Sequence, residues 1–97
     1  CMNNVQLSEM SKKQLNKRGK WEIVLQNSNT ISFDHVITCL VEICGHNEFQ
    51  ANQCALLTDK TGACSVFIDK HTNCEYVYEL LIKSGLQAKI QKYKNNV

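Results

Sequence analysis

Six cysteines and three histidines are the side chains of this 97-residue chain best equipped for chemistry. Thiols and imidazoles can hold a metal, close disulfides, or pair as nucleophile and base. Their spacing argues against all three. Cys39 and Cys44 are five apart, and Cys54, Cys64 and Cys74 follow at intervals of ten, with no C-x-x-C anywhere. A zinc knuckle needs two ligands close enough in sequence for one turn to present both sulfurs. Cys39, Cys44, Cys54 and Cys64 stand instead in apolar patterns, where a free thiol behaves as a small hydrophobe. Reduced core thiols are therefore expected, with no bound metal and no other cofactor. The histidines fall at the edges of elements: His35 in a first helical turn, His46 in an interhelix turn, and His71 just before a helix cap. These are surface or capping positions, so a Cys–His nucleophile is not expected. No G-x-S-x-G, phosphate-cradling glycine loop or H-E-x-x-H is present, and four glycines leave little material for a phosphate loop. No catalytic residue is assigned, and the chain is not expected to be an enzyme.

Length and composition set the frame for what remains. A core this small cannot be divided, so a single domain is expected, and 43% hydrophobic residues suffice to fold it. No apolar run approaches the roughly 20 residues needed to cross a bilayer, and no signal-peptide pattern opens the chain, which points to the cytoplasm. Charge is unevenly divided. Residues 1–20 hold Lys12, Lys13, Lys17, Arg18 and Lys20 against Glu9, whereas residues 21–97 hold six lysines against eight acids. A basic tail can touch nucleic acid, but the body has no basic stripe with interleaved aromatics, so neither nucleic acid nor membrane is an expected partner. Residues 1–19 are polar, aperiodic and end in Arg18-Gly19, which reads as a flexible arm ahead of a folded body from residue 20 to residue 97.

The elements that must position any site are marked by local chemistry. Trp21 to Leu25 is rich in β-formers and stops at the turn-forming run Asn27-Ser28-Asn29. Ser32 suits a helix N-cap with Asp34 in the first turn, and Phe33, Val36, Ile37, Leu40 and Cys44 recur at helical spacing before Gly45. Asn47 and Gln50 form a capping pair, and Ala51, Cys54, Ala55 and Thr58 share a face of a second helix closed by Gly62. Ala63 to Ile68 reads as a second strand, Thr72-Asn73-Cys74-Glu75 as a capping box for a third helix, and Cys74, Val77, Tyr78 and Leu81 as that helix's buried face. After Gly85, the alternation of Leu86, Ala88 and Ile90 with Gln87, Lys89 and Gln91 marks a half-buried last strand. The order is β-α-α-β-α-β, an α+β chain whose economical architecture is one sheet with its helices on one face.

The segment Trp21 to Ile37, a strand running through Asn27-Ser28-Asn29 into a helix, resembles the opening of ClpS, the bacterial adaptor of the Clp proteases. The resemblance continues through Ile43-Cys44-Gly45-His46, Ala51 to Leu57, Gly62 and Gly85-Leu86, and covers nearly all of residues 21–91. It implies a ClpS-like fold with a three-stranded antiparallel sheet, and a long polar N-terminal arm fits the family too. It also implies an adaptor that binds N-terminal degrons and delivers substrates to the N-terminal domain of a ClpA- or ClpC-type unfoldase. In such proteins a bulky apolar first residue enters a hydrophobic pocket while polar rim groups hold the free α-amino group.

Carried over residue by residue, the resemblance places the α-amino group against Asn27, Ser28, Asn29 and Asp59, and the first side chain against Ile31, Phe33, Ala55, Thr58 and Leu86. The departures matter. Ser28 and Asn29 stand where the family has aspartates, Asp59 where it has a histidine, and Phe33 and Ala55 where it often has methionines. The stretch Phe67 to Cys74, which in the family contributes to unfoldase docking, matches poorly. Each substitution also has an ordinary structural account: Ser28 and Asn29 are good turn residues, Asp59 can be a solvated charge, and Phe33 and Ala55 can exchange core volume. Two functions follow, both for a monomer: a degron-reading adaptor, or a ClpS-fold protein with a degenerate pocket that regulates the unfoldase or binds another protein. A ribosomal-stalk-type module shares the general topology but should carry a lysine-rich exposed helix, which this chain lacks.

Overall fold

A computed structural model describes residues 18–94. The expected flexible arm lies almost wholly outside these residues. Six elements run in the order β1 (Lys20–Gln26), α1 (Phe33–Glu42), α2 (Glu48–Thr61), β2 (Ala63–Lys70), α3 (His71–Lys83) and β3 (Gln87–Lys92). The sheet order is β2-β1-β3 and both pairings are antiparallel. β1 is thus the central strand, with Ile23 and Leu25 buried on the face that the helices cover. Leu40 from α1, Ala51 from α2, Cys74 and Leu81 from α3, and Leu86 complete the floor beneath them. Cys39, Cys64 and Cys74 are buried among these hydrophobes, and every cysteine from Cys39 to Cys74 is free.

The helix starts follow local chemistry. Ser32 caps α1 by accepting the His35 N–H, and Asn47 and Gln50 close a reciprocal capping box on α2. α2 ends at Gly62, whose φ of +92° is a left-handed conformation that a side chain would strain. The third helix departs from expectation. It begins at His71, so Thr72 lies inside it and no Thr72–Glu75 capping box forms. No side chain caps its first turn; Asp69 Oδ1 accepts instead the N–H of Lys70, the residue before the helix, at 2.6 Å and also takes the Asn73 side chain, contacts that hold its carboxyl below the usual range. The His71 ring packs edge-on against Trp21, with centroids 4.5 Å apart, and its Nδ1 lies 3.2 Å from Glu75.

β2 is also longer than the apolar run that marks it, because Asp69 and Lys70 continue to pair with Trp21 and Lys20. A register shift opposite Ile23 and Val24 leaves Val66 as an extra residue, the mark of a β-bulge. His46 is not a surface residue of the interhelix turn. It is half-buried, with Nε2 donating to the Val66 carbonyl at 2.6 Å, and so ties the α1–α2 turn to the bulged strand.

Candidate functional site

Where β1 ends, the chain turns sharply between the sheet and α2. The Asn27 N–H donates to the Gly62 carbonyl at 3.0 Å, fixing the loop against the end of α2. Ser28 Oγ accepts the Thr30 N–H at 3.4 Å and lies 3.0 Å from Thr30 Oγ1, so the serine is bound within its own turn. Ser32 then starts α1. These constraints leave a cavity of about 280 Å³ between the loop, the start of α1, one face of α2 and the start of β3.

All nine residues singled out from the sequence line this cavity. Asn27, Ser28, Asn29 and Asp59 form its polar margin, and Ile31, Phe33, Ala55, Thr58 and Leu86 its remaining wall. Ala55 and Leu86 are each 3% exposed, whereas Phe33 is 40% exposed at the entrance. Thr58 is buried too, but its hydroxyl donates to the Cys54 carbonyl at 2.7 Å and brings no unmet polar group to the wall. Leu25, Gln26, Val36 and Gln87 line the cavity as well and were not singled out. Val36 was within reach of sequence reasoning, since it stands one helical turn after Phe33 on the same face.

The electrostatics of the margin are simple. Asp59 is exposed and makes no ion pair or hydrogen bond among the described residues, and no lysine or arginine lines the cavity. The side chains of Asn27 and Asn29 have no partner among the described residues either. A hollow of mixed lining, with Ile31, Val36, Ala55 and Leu86 in its wall and one carboxylate and two free amides at its lip, can accept a cation attached to an apolar body. A second hollow of about 370 Å³ lies between α2 and β2, walled by Phe49, Phe67 and Ile68. It has no charged residue in its lining, so nothing there selects an ion.

Thiol chemistry finds no support in the surroundings of the cysteines. A Cys–His contact does exist: Cys39 Sγ is 3.5 Å from His35 Nε2. That nitrogen, however, donates its proton to the Ser84 carbonyl at 2.8 Å, so it cannot also accept one. Burial pushes the Cys39 thiol up, and drives those of Cys44 and Cys64 up to about 12. A thiol held protonated is a poor nucleophile and a poor metal ligand.

ATP-dependent Clp protease adaptor protein ClpS is the family that matches the sequence, over residues 16–89. The chain belongs to the ClpS family. No curated protein matches it. Among solved structures, Agrobacterium tumefaciens ClpS2 bound to L-phenylalaninamide superposes with a TM-score of 0.65 at 14% identity, over 76% of this chain and 96% of that one. The element order and the three-stranded antiparallel sheet are those of this ClpS neighbour, and ClpS adaptors of the Clp protease are themselves non-catalytic.

Proposed function

We propose that this ClpS adaptor reads N-degrons: it binds proteins whose first residue is bulky and apolar, and delivers them to the N-terminal domain of a ClpA- or ClpC-type unfoldase. The observation that carries the reading is the unpartnered margin of Asp59, Asn27 and Asn29 beside a hollow walled in part by Ile31, Val36, Ala55 and Leu86. An α-amino group is an ammonium that needs acceptors, and its neighbouring side chain gains roughly 1.5–3 kcal/mol from burial. The phenylalaninamide bound by the Agrobacterium relative carries these two features, an α-amino group and an apolar side chain. Asp59 and Asn27 are the ammonium acceptors in this scheme, with Asn29 beside them. Ser28, its oxygen committed to Thr30, shapes the loop and contributes a weaker contact at most.

Ile31, Phe33, Val36, Ala55 and Leu86 receive the first side chain. The adaptor performs no chemistry itself, needs no cofactor, and works as a cytoplasmic monomer; no helix among the described residues is long and apolar enough to cross a membrane. The test is a binding series with peptides identical except for a first residue of Leu, Phe, Trp, Tyr, Ala or Glu, each also made with an acetylated N-terminus. Micromolar binding confined to free bulky apolar N-termini supports the reading. Indifference to the first residue or to acetylation rejects it in favour of a ClpS-fold regulator that has lost degron reading.

A further inference from the structure

Two walls of the cavity come from parts of the chain far apart in sequence. Phe33 and Val36 stand on α1, while Leu86 and Gln87 lead out of the turn between α3 and β3. Each wall is firm in itself. α1 starts on the Ser32 cap and packs mainly against α2. The Leu86 N–H donates to the Leu81 carbonyl at 3.1 Å, and Ile31 Cδ1 lies 3.8 Å from where a Cβ on Gly85 would stand. Between the two walls the packing is thin, because α1 approaches α3 and β3 at few points.

One side chain spans that gap. His35 Nε2 donates to the Ser84 carbonyl at 2.8 Å, joining residues 49 apart in sequence. The Ser84 side chain in turn reaches the thiol of Cys39, one helical turn after His35. Among the described residues, every hydrogen bond from α1 to the α3–β3 turn ends on Ser84. Phe33 and Val36 flank His35 along the helix, and Ser84 precedes Leu86 by two residues, so the bond ties the two walls together close to the cavity. Neither His35 nor Ser84 lines the cavity itself. The bond needs a hydrogen on Nε2, which imidazole and imidazolium both carry, so it requires no charge.

We propose, on the degron reading of this cavity, that His35 is a positioning residue: by latching the first turn of α1 to Ser84, it sets the width of the slot that receives the first side chain. A wall free to drift weakens binding, because part of the interaction energy is spent on ordering it. A small first side chain loses more than a large one, since the large one still spans a widened slot. A histidine that only steadied the surface of α1 would lower stability without changing which first residue is preferred.

Anisotropy titrations with free-N-terminus peptides that begin with Leu or Trp, run beside thermal unfolding, test this. His35→Ala should weaken the Leu-initiated peptide by about fivefold and the Trp-initiated one by about twofold or less, the scale of one lost hydrogen bond. His35→Asn, whose amide has the reach of Nδ1 but not of Nε2, should behave as His35→Ala does. Asn47→Ala, which weakens α2 at its other end from Ala55 and Asp59, should lower the melting temperature at least as much yet leave both affinities within about twofold. In amide proton–nitrogen spectra of ligand-free His35→Ala, shifts should move at Gly85, Leu86 and Gln87 as well as along α1. Parent affinities retained in His35→Ala or His35→Asn, an unaltered Leu-to-Trp ratio, equal losses from Asn47→Ala, or spectral changes confined to α1 would each overturn the latch and leave the degron reading standing. A parent that binds neither peptide would sink the degron reading and the latch with it.

Discussion

Ser28 Oγ and Thr30 Oγ1 lie 3.0 Å apart, and Ser28 also accepts the Thr30 N–H. Ser28, which the resemblance sets against the α-amino group, is therefore engaged in its own loop. Ser28→Ala should change the affinity for a free N-terminus by less than about twofold, whereas Asn27→Ala should cost about tenfold or more, the worth of a hydrogen bond to a charged group. Titration of both variants with one peptide checks this. A larger loss from Ser28→Ala would put the serine in direct contact with the ammonium.

The two capping motifs read from the sequence separate in the structure, and their energetics should separate with them. Asn47→Ala removes the side-chain half of a box that forms, leaving the Gln50 N–H without its Oδ1 acceptor, and should cost about 1 kcal/mol, or roughly 4–8 °C in melting temperature for a domain this size. Thr72→Ala touches no cap, because α3 starts at His71, and should change the melting temperature by about a degree or less. Thermal unfolding of the two variants side by side is sufficient. Equal losses would move the start of α3 to Thr72.

That contrast shows which parts of the fold were legible. Ser32, Asn47 and Gly62 act through neighbours a few residues away, so their roles could be read from spacing alone. Thr72-x-x-Glu75 has the same spacing, but Trp21 and Asp69 engage His71, Lys70 and Asn73 from the sheet and start the helix earlier. His46 was misread for the same reason, since Val66 is twenty residues away in sequence. The bulge at Val66 has no local marker either. Of the cavity, the polar margin was legible only through resemblance to a family, because nothing local brings Asp59 to Asn27. Val36 could have been found from helical spacing, while Leu25, Gln26 and Gln87 needed the strand ends in place.

The buried thiols make stability depend on alkaline pH. Cys44 and Cys64 are raised from the usual 9.0 to about 12 by burial, with neighbouring Cys54 adding to both. In the unfolded chain they ionise near 9, so between about pH 9 and pH 12 the unfolded state holds fewer protons than the folded one. Their contribution is complete below pH 9 and is lost as pH rises towards 12. Denaturant titrations from pH 8 to pH 10.5 should show stability falling less steeply in Cys44→Ala than in the parent, on top of a pH-independent cavity cost of about 1–2 kcal/mol. Parallel curves for the two proteins would mean that Cys44 titrates normally.

Pocket size should be set by two positions that differ in rigidity. Phe33 is large and partly exposed at the entrance, while Ala55 is small and buried in the wall. Ala55→Met adds side-chain volume to the wall, shrinks a cavity of about 280 Å³, and should favour Leu over Trp among free N-termini, a shift of several-fold in their affinity ratio. Competition between Leu- and Trp-initiated peptides measures that ratio directly. An unaltered ratio would place Ala55 behind the wall, away from the ligand.

Asp59 supplies the sharpest test of the site, because its charge and its shape can be separated. It is the single acidic residue among the cavity's lining, it is exposed, and it has no partner among the described residues. If the resemblance holds residue by residue, negative charge sits across the cavity on α2, at Asp59, rather than in the loop of Ser28 and Asn29. An ammonium held there would be gripped from the opposite side, by Asp59 with the Asn27 amide completing its acceptors. An idle surface carboxylate would instead contribute nothing. Asp59→Asn keeps the volume and a hydrogen-bonding oxygen while removing the charge, and should weaken a peptide with a bulky free N-terminus by about tenfold. The loss should shrink at high salt, since an exposed charge is screened, and an acetylated peptide should bind neither protein. Restoring the loop charge with Ser28→Asp in the Asp59→Asn background should recover part of the affinity, because the ammonium needs an anion nearby more than a particular side of the rim. Equal binding by parent and Asp59→Asn would show that Asp59 does not face the ligand. Failure of Ser28→Asp to rescue would mean that the loop, tied through Ser28 and Thr30, no longer points at the ammonium.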